Sequence, residues 1–184
     1  LVGSEMCIRD RSKVAIECIK NGADMINDIS AGENDKNMFD TIVKLNVPYI
    51  MMHMKGKPLT MQNQPNYKDV ISEIKGFFNT KIKNLNNKGF NKIIIDPGFG
   101  FGKTIDNNYT ILKNLIEFKE FNLPILIGAS RKSMIYNILN KKPETSLNGT
   151  SIINTIGLIN GASILRVHDV EEAIECIKLT NTLK

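Results

Sequence analysis

The residues that could do chemistry fall in three short stretches. The first, "IIIDPGFGFGKT" at 93–104, runs three isoleucines into Asp96. Pro97 favours an extended Asp96, which keeps the carboxylate aimed out of the strand end. Gly98, Gly100 and Gly102 let the backbone turn sharply and come close to a ligand, while Phe99 and Phe101 offer apolar walls. A carboxylate at the floor of such a pocket can accept two N–H bonds from an aminopyrimidine-like edge. The ligand implied is a flat, nitrogen-rich heterocycle. Nucleotide loops fail on spacing: a Walker loop needs glycine where Pro97 stands, and the dinucleotide pattern needs glycine at Lys103.

The second stretch, "GASRKSM" at 128–134, turns into a helix that opens with Ser130, Arg131, Lys132 and Ser133. Backbone N–H groups and cations then converge on an anion-friendly spot. The third, "RVHD" at 166–169, puts Arg166 and His168 on one side of a strand by two-residue alternation, where they could hold a phosphate leaving group. Only four arginines and two histidines occur in the chain. With Arg9 and Arg11 set aside, Arg131 and Arg166 stand in a sequence that otherwise uses lysine for positive charge. Those two are expected to do what lysine cannot, such as a planar fork on an anion or stacking on a ring.

Elements that could position these groups recur along the chain. "DMINDI" at 24–29, "PYIMMH" at 48–53, "KIIID" at 92–96, "PILIGAS" at 124–130 and "SILRVH" at 163–168 read as five buried strands. Helices are predicted over 67–88, 107–118 behind an Asp106 cap, 131–140, 147–160 and 169–183, the last opening with the capping box "DVEE". Alternation of strand and helix implies a parallel sheet, either doubly wound or closed as a barrel. Polar residues end every strand: Asn27 and Asp28, His53, Asp96, the Ser130–Lys132 corner, and Arg166 with His168. Each alone could be a cap, a core residue or a surface lysine, but five in register favour the rim of a barrel.

Composition bounds the remaining choices. The 184 residues can bury one core, and no apolar run reaches the length of a membrane span. The net charge of +5 comes from dispersed lysines without interleaved aromatics, which argues against nucleic acid. Cys7, Cys18 and Cys176 lack metal-ligand spacing and suggest a reducing, cytoplasmic setting. Cys18 and Cys176 each sit in the hexapeptide AIECIK on a helical apolar stripe, as packing residues would.

"GADMINDISAG", "YIMMHMKGKPLTMQ", "IIIDPGFGFGKT", "LPILIGASRKSMI" and "ILRVHDV" together resemble, in order, the blocks of the dihydropteroate synthases, over residues 12–184. That resemblance implies a TIM barrel joining 6-hydroxymethyl-7,8-dihydropterin pyrophosphate to p-aminobenzoate with release of pyrophosphate. It implies that Asn27 and Asp96 bind the pterin edge and that Met52 and Gly128 line its pocket. Lys132 would reach the pterin and the aminobenzoate region. Arg166 would stack on the pterin and, with His168, hold the pyrophosphate, while Phe101 and Ser133 would border the aminobenzoate site. Lys132, Arg166, His168 and Asp96 are the expected catalytic set, and Lys103 is expected to matter less than Asp96.

The resemblance also sets expectations about what lies outside these blocks. The fold expected is α/β, a partial TIM (β/α)8 barrel with about five β/α units and its amino-terminal strands missing. Mg2+ is expected as cofactor, its protein ligand belonging to that amino-terminal portion, with no metal ligand among the residues named. Residues 1–11, "LVGSEMCIRDR", do not fit the family and resemble translated adapter DNA, so 12–184 reads as the barrel domain. The fragment alone is expected to be inactive, and the completed barrel to form a homodimer. Two rival readings are a corrinoid-linked methyltetrahydrofolate methyltransferase domain and a non-catalytic pterin-binding module. Neither explains "SRKS" kept together with "RVHD".

Overall fold

The computed structural model describes residues 6–8, 11–56, 61 and 65–183. Residues 1–5, 9 and 10 of the segment read as foreign lie outside that description, as do 57–60 and 62 of the "MKGKPLTMQ" block and the two residues after it. Among the described residues there are six strands: β1 (Met6–Ile8), β2 (Met25–Asp28), β3 (Tyr49–Met52), β4 (Ile93–Asp96), β5 (Leu126–Ile127) and β6 (Ile164–Leu165). β1 to β4 pair in chain order, all parallel, and β5 pairs with β6 in the same sense. An Ile95–Ile125 bridge and the bond from Ile95 N to Pro124 O (3.0 Å) join the two groups across β4 and β5. The fold is therefore α/β with consecutive parallel strands.

β1 is one strand more than the sequence suggested, its Met6 lying opposite Met25. Three residues beside a charged stretch carry no visible period, so pattern alone could not find it. β2, β3 and β4 are buried along their whole length. Burial on both faces is what continuous apolar runs without alternation require.

Seven α-helices among the described residues cover the outside: α1 (Ser12–Lys20), α2 (Met38–Leu45), α3 (Val70–Asn87), α4 (Ile105–Lys113), α5 (Ser133–Tyr136), α6 (Leu147–Ile159) and α7 (Val170–Asn181). Their apolar stripes meet the outward residues of the strands, among them Ile26, Tyr49, Met51, Ile93, Ile95 and Ile127, in one large core. Phe78 of α3 is fully buried there, edge-on to Phe77, Phe118 and Phe121 at centroid distances of 5.5 to 6.3 Å. Removing such a ring costs about 3–5 kcal/mol.

Two caps differ from expectation. Thr104, not Asp106, caps α4: its backbone is extended and its Oγ1 accepts from Asn107 N at 3.1 Å, leaving Asp106 in the first turn. Asp169 makes no cap bond to α7, because its carboxylate is engaged by Arg131. By contrast, Asp69 caps α3 through Ile71 N and Ser72 N, at 2.9 and 3.0 Å.

Candidate active site

The site follows from strand alternation. A second, smaller core contains Met25, Ile50, Ile94 and Leu126, with Ile164 packed against it. Each of these residues comes from a different strand, and together they form a layer on the face turned away from the helices. Residues two positions further along a strand share that face and stand nearer its carboxyl end. Those residues are Asn27, Met52, Asp96, Gly128 and Arg166. Five positions proposed from sequence for one ligand thus belong to one face and one rim, above one apolar floor. Met52 and Asp96 are direct partners in the β3–β4 register.

The carboxylate at this rim is deeply buried. Asp96 is 3 % exposed, and its Oδ1 accepts from Gly98 N at 2.7 Å. Burial raises its pKa, opposed by Lys132, the Gly98 N–H, Lys103 and Arg166. Three cations therefore face one acid. Such a carboxylate has few water contacts to lose when a ligand arrives with paired N–H donors.

Beside it lies a cavity of about 440 Å³ lined by Phe101, Gly128, Ser130, Lys132, Arg166 and His168, with Arg131 and Val167. The "GASRKS" and "RVHD" corners form it jointly. Ser130 Oγ lies 2.9 Å from His168 Nδ1, and His168 N donates to the same oxygen at 3.3 Å. Arg131 forks onto Asp169, through Nε to Oδ2 at 3.0 Å and through Nη2 to Oδ1. The planar fork expected of this arginine is present, and the anion is a side chain of the protein itself. Lys132 Nζ donates to Phe99 O and stands 4.6 Å from the Phe101 ring centroid. Burial brings Lys132 down to about 8, with Asp96 raising it and Arg166 lowering it further.

Not every expected residue lines this cavity. Asn27, Met52 and Asp96 occupy the adjacent strand ends, and Ser133 begins α5 half-buried and outside the cavity wall. Asp28, which shares the end of β2 with Asn27, points elsewhere: it accepts from Ser30 N, Ser30 Oγ, Gly32 N and Tyr49 Oη at 2.6 to 2.8 Å. It closes the loop after β2.

One group, expected from sequence only to matter less than Asp96, proves to be enclosed. Lys103 is 4 % exposed, with its Nζ against His53 Nδ1 and three carbonyl oxygens. Its only sequence signal was its place directly after a loop poor in side chains. Lys55 and Tyr67 add a second tie: Lys55 pairs with Glu73 at 2.7 Å and covers the Tyr67 ring, whose hydroxyl donates to Gly102 O at 2.8 Å.

Comparison with known proteins bears directly on this geometry. Residues 10–168 match the pattern of the family described as pterin binding enzyme. The chain belongs to that family. It is 40% identical over 171 residues to the dihydropteroate synthase of Escherichia coli (strain K12), an alignment covering 92% of this chain and 60% of that protein. It superposes on the Yersinia pestis dihydropteroate synthase in a sulfonamide drug complex with a TM-score of 0.93 at 36% identity, covering 97% of this chain and 65% of that one. The Xanthomonas albilineans enzyme in complex with 7,8-dihydropteroate gives a TM-score of 0.90 at 30% identity, covering 98% and 66%. This family member thus spans about 60% of the curated relative's length.

Proposed function

We propose that the chain is the pterin- and leaving-group-binding part of a dihydropteroate synthase. It would condense 6-hydroxymethyl-7,8-dihydropterin pyrophosphate with p-aminobenzoate in folate biosynthesis. One observation carries the reading: a buried carboxylate sits beside a cavity where Lys132, Arg166 and His168 converge. A neutral heterocycle with N–H donors and an anionic leaving group need these two environments side by side.

Asn27 and Asp96 hold the pterin edge, with Met52 and Gly128 as walls. Gly128 lies against Arg166: a methyl group there would stand in ordinary contact with Arg166 Nη1, at 3.5 Å. Arg166 stacks on the ring and, with His168, receives the pyrophosphate. The pterin methylene C–O bond breaks, and both its electrons leave with pyrophosphate. The cationic methylene that remains is attacked by the aminobenzoate nitrogen, which forms the C–N bond and gives up a proton. Oriented charges around a developing cation and a departing polyanion supply the catalysis, so fixed geometry matters more than any single proton transfer. Lys132 lies between the two substrates, and Phe101 with Ser133 borders the arylamine.

In this reading β2 to β6 are consecutive members of a (β/α)8 barrel, with residues 12–184 as the barrel domain, working as a cytoplasmic homodimer. Mg2+ belongs to the whole enzyme. The described residues do not fit a Mg2+ cage, since no group of three or more His, Cys, Asp and Glu side chains comes together among them. No step above is routed through the ion. Among the described residues no helix is long and apolar enough to cross a membrane.

The test is release of pyrophosphate from the pterin substrate by the protein in its full native length. Release that requires p-aminobenzoate is expected, and is lost in Arg166→Ala and Lys132→Ala. Methyl transfer from methyltetrahydrofolate to a cobalamin would overturn the reading.

A further inference from the structure

Lys103 is the most buried lysine of the described chain, and its ammonium is enclosed. Nζ lies 2.9 Å from Gly98 O, 3.0 Å from Phe101 O, 3.2 Å from His53 O and 3.1 Å from His53 Nδ1. An ammonium has three protons, so four acceptors use all of them. Two acceptors belong to the glycine–phenylalanine loop and two to the residue that follows β3. One cation therefore stitches the loop after β4 to the rim of its neighbouring strand.

The stitch is tight. A methyl group on Gly98 would lie 2.0 Å from His53 O, and one on Gly102 would lie 2.1 Å from Lys55 O. His53 is packed edge-on to Phe77 at 5.0 Å and buried. Burial, with Lys103 and Lys55, brings it down to about 3, so the ring is neutral, and in the tautomer protonated at Nε2 its Nδ1 accepts from Lys103. Burial likewise lowers Lys103, to about 7, while Asp96 raises it. The carbonyl oxygens around Nζ stabilise its charged form.

The loop so held is the one Lys132 touches, through the Phe99 carbonyl and the Phe101 ring. We propose that Lys103 is the positioning residue of the arylamine half of the site, setting the loop 98–102 so that Phe101 and Lys132 face each other at a fixed distance. It touches neither substrate and acts through the loop. The inference rests on the functional reading above for the identity of the arylamine. It also refines the expectation that Lys103 matters less than Asp96: the two residues serve different ligands.

The test compares wild type with Lys103→Met, which keeps the stem and removes every donor, and Lys103→Gln, which returns two donors. Titrations with p-aminobenzoate and with the pterin pyrophosphate are run on each. Arylamine affinity is expected to fall by about tenfold or more in Lys103→Met and to recover in part in Lys103→Gln, with a clearly smaller loss for the pterin, whose Asp96 the loop meets only through Gly98 N. Equal loss of both ligands, or no loss of either, overturns the proposal.

A second measurement needs no ligand. Amide hydrogen exchange at 98–102 is expected to accelerate in Lys103→Met while α6 and α7 keep wild-type rates; unchanged loop exchange overturns the proposal. Should Lys103→Met not fold, Lys103→Gln carries both readouts with smaller expected changes. Wild type that binds neither ligand, with loop exchange behaving as expected, would contradict the functional reading and leave the loop-positioning role standing.

Discussion

Arg131 and Asp169 form a two-point fork that locks the "SRKS" corner to the "RVHD" corner. Arg131 pays for the contact with a left-handed backbone, φ 54°, and its N–H donates to Thr150 Oγ1 at 3.1 Å. The flanking residues Lys132 and His168 line the same cavity. Two effects of Asp169→Asn therefore oppose each other. Removing a negative charge near an anion site should strengthen anion binding, whereas loosening the fork should displace Lys132 and His168. The geometry predicts that the second wins, with pyrophosphate affinity falling about tenfold. Arg131→Lys, which keeps the charge and loses the fork, should fall similarly. Calorimetric titration with pyrophosphate checks both, and tighter binding by Asp169→Asn would show that charge outweighs position.

His53 is held neutral in the folded chain. Its pKa falls from an ordinary 6.5 to about 3 because of burial, then Lys103 and Lys55. Between those values the unfolded chain binds more protons than the folded one, so stability falls as pH drops from about 6.5 towards 3. The loss from this group approaches about 1.4 kcal/mol per pH unit within that window. An NMR titration of the His53 ring should show no protonation above pH 4 while the chain stays folded.

Gly98 and Gly102 are glycine for two reasons at once. Each has positive φ, 73° and 61°, and each lies where a methyl group would overlap a carbonyl oxygen of the β3 rim. Gly98→Ala should cost about 2–5 kcal/mol, from left-handed strain plus a backbone clash. Gly76→Ala is the control, since nothing lies within 4 Å of a methyl group there. Urea unfolding of the two variants measures the difference.

Tyr49 donates to Asp28 at 2.6 Å from a fully buried position, and burial followed by Asp28 itself raises the phenol well above its ordinary pKa. Tyr49→Phe should destabilise the chain by about 1.5–3 kcal/mol, the usual range for a hydrogen bond to a charged group. Because Asp28 keeps three other donors, the loop after β2 should hold its place. Unchanged pterin affinity in a destabilised Tyr49→Phe protein is the expected pair of results.

The rim was legible in the sequence because strand ends carry their own signature. Asn27, Asp96 and Arg166 are polar residues that end apolar runs, and two-residue alternation fixes their face. Lys103 and Asp169 were not legible for the opposite reason. Each has a partner on another element, 50 residues away at His53 for Lys103 and 38 away at Arg131 for Asp169. No local period encodes such contacts: Asp169 was expected as a helix cap, and Lys103 only to matter less than Asp96. β1 escaped through brevity. α2 escaped because the apolar spacing of "MFDTIVKL" was passed over between two stronger strand patterns.

The most direct test of the central claim is a calorimetric titration of wild type and Asp96→Ala with 6-hydroxymethyl-7,8-dihydropterin pyrophosphate. If the Asp96 carboxylate reads the pterin edge, affinity should fall by about a hundredfold or more, as expected when a buried charge-assisted pair is lost. Pyrophosphate alone should bind both proteins alike. Equal pterin affinity in the two proteins would contradict the account.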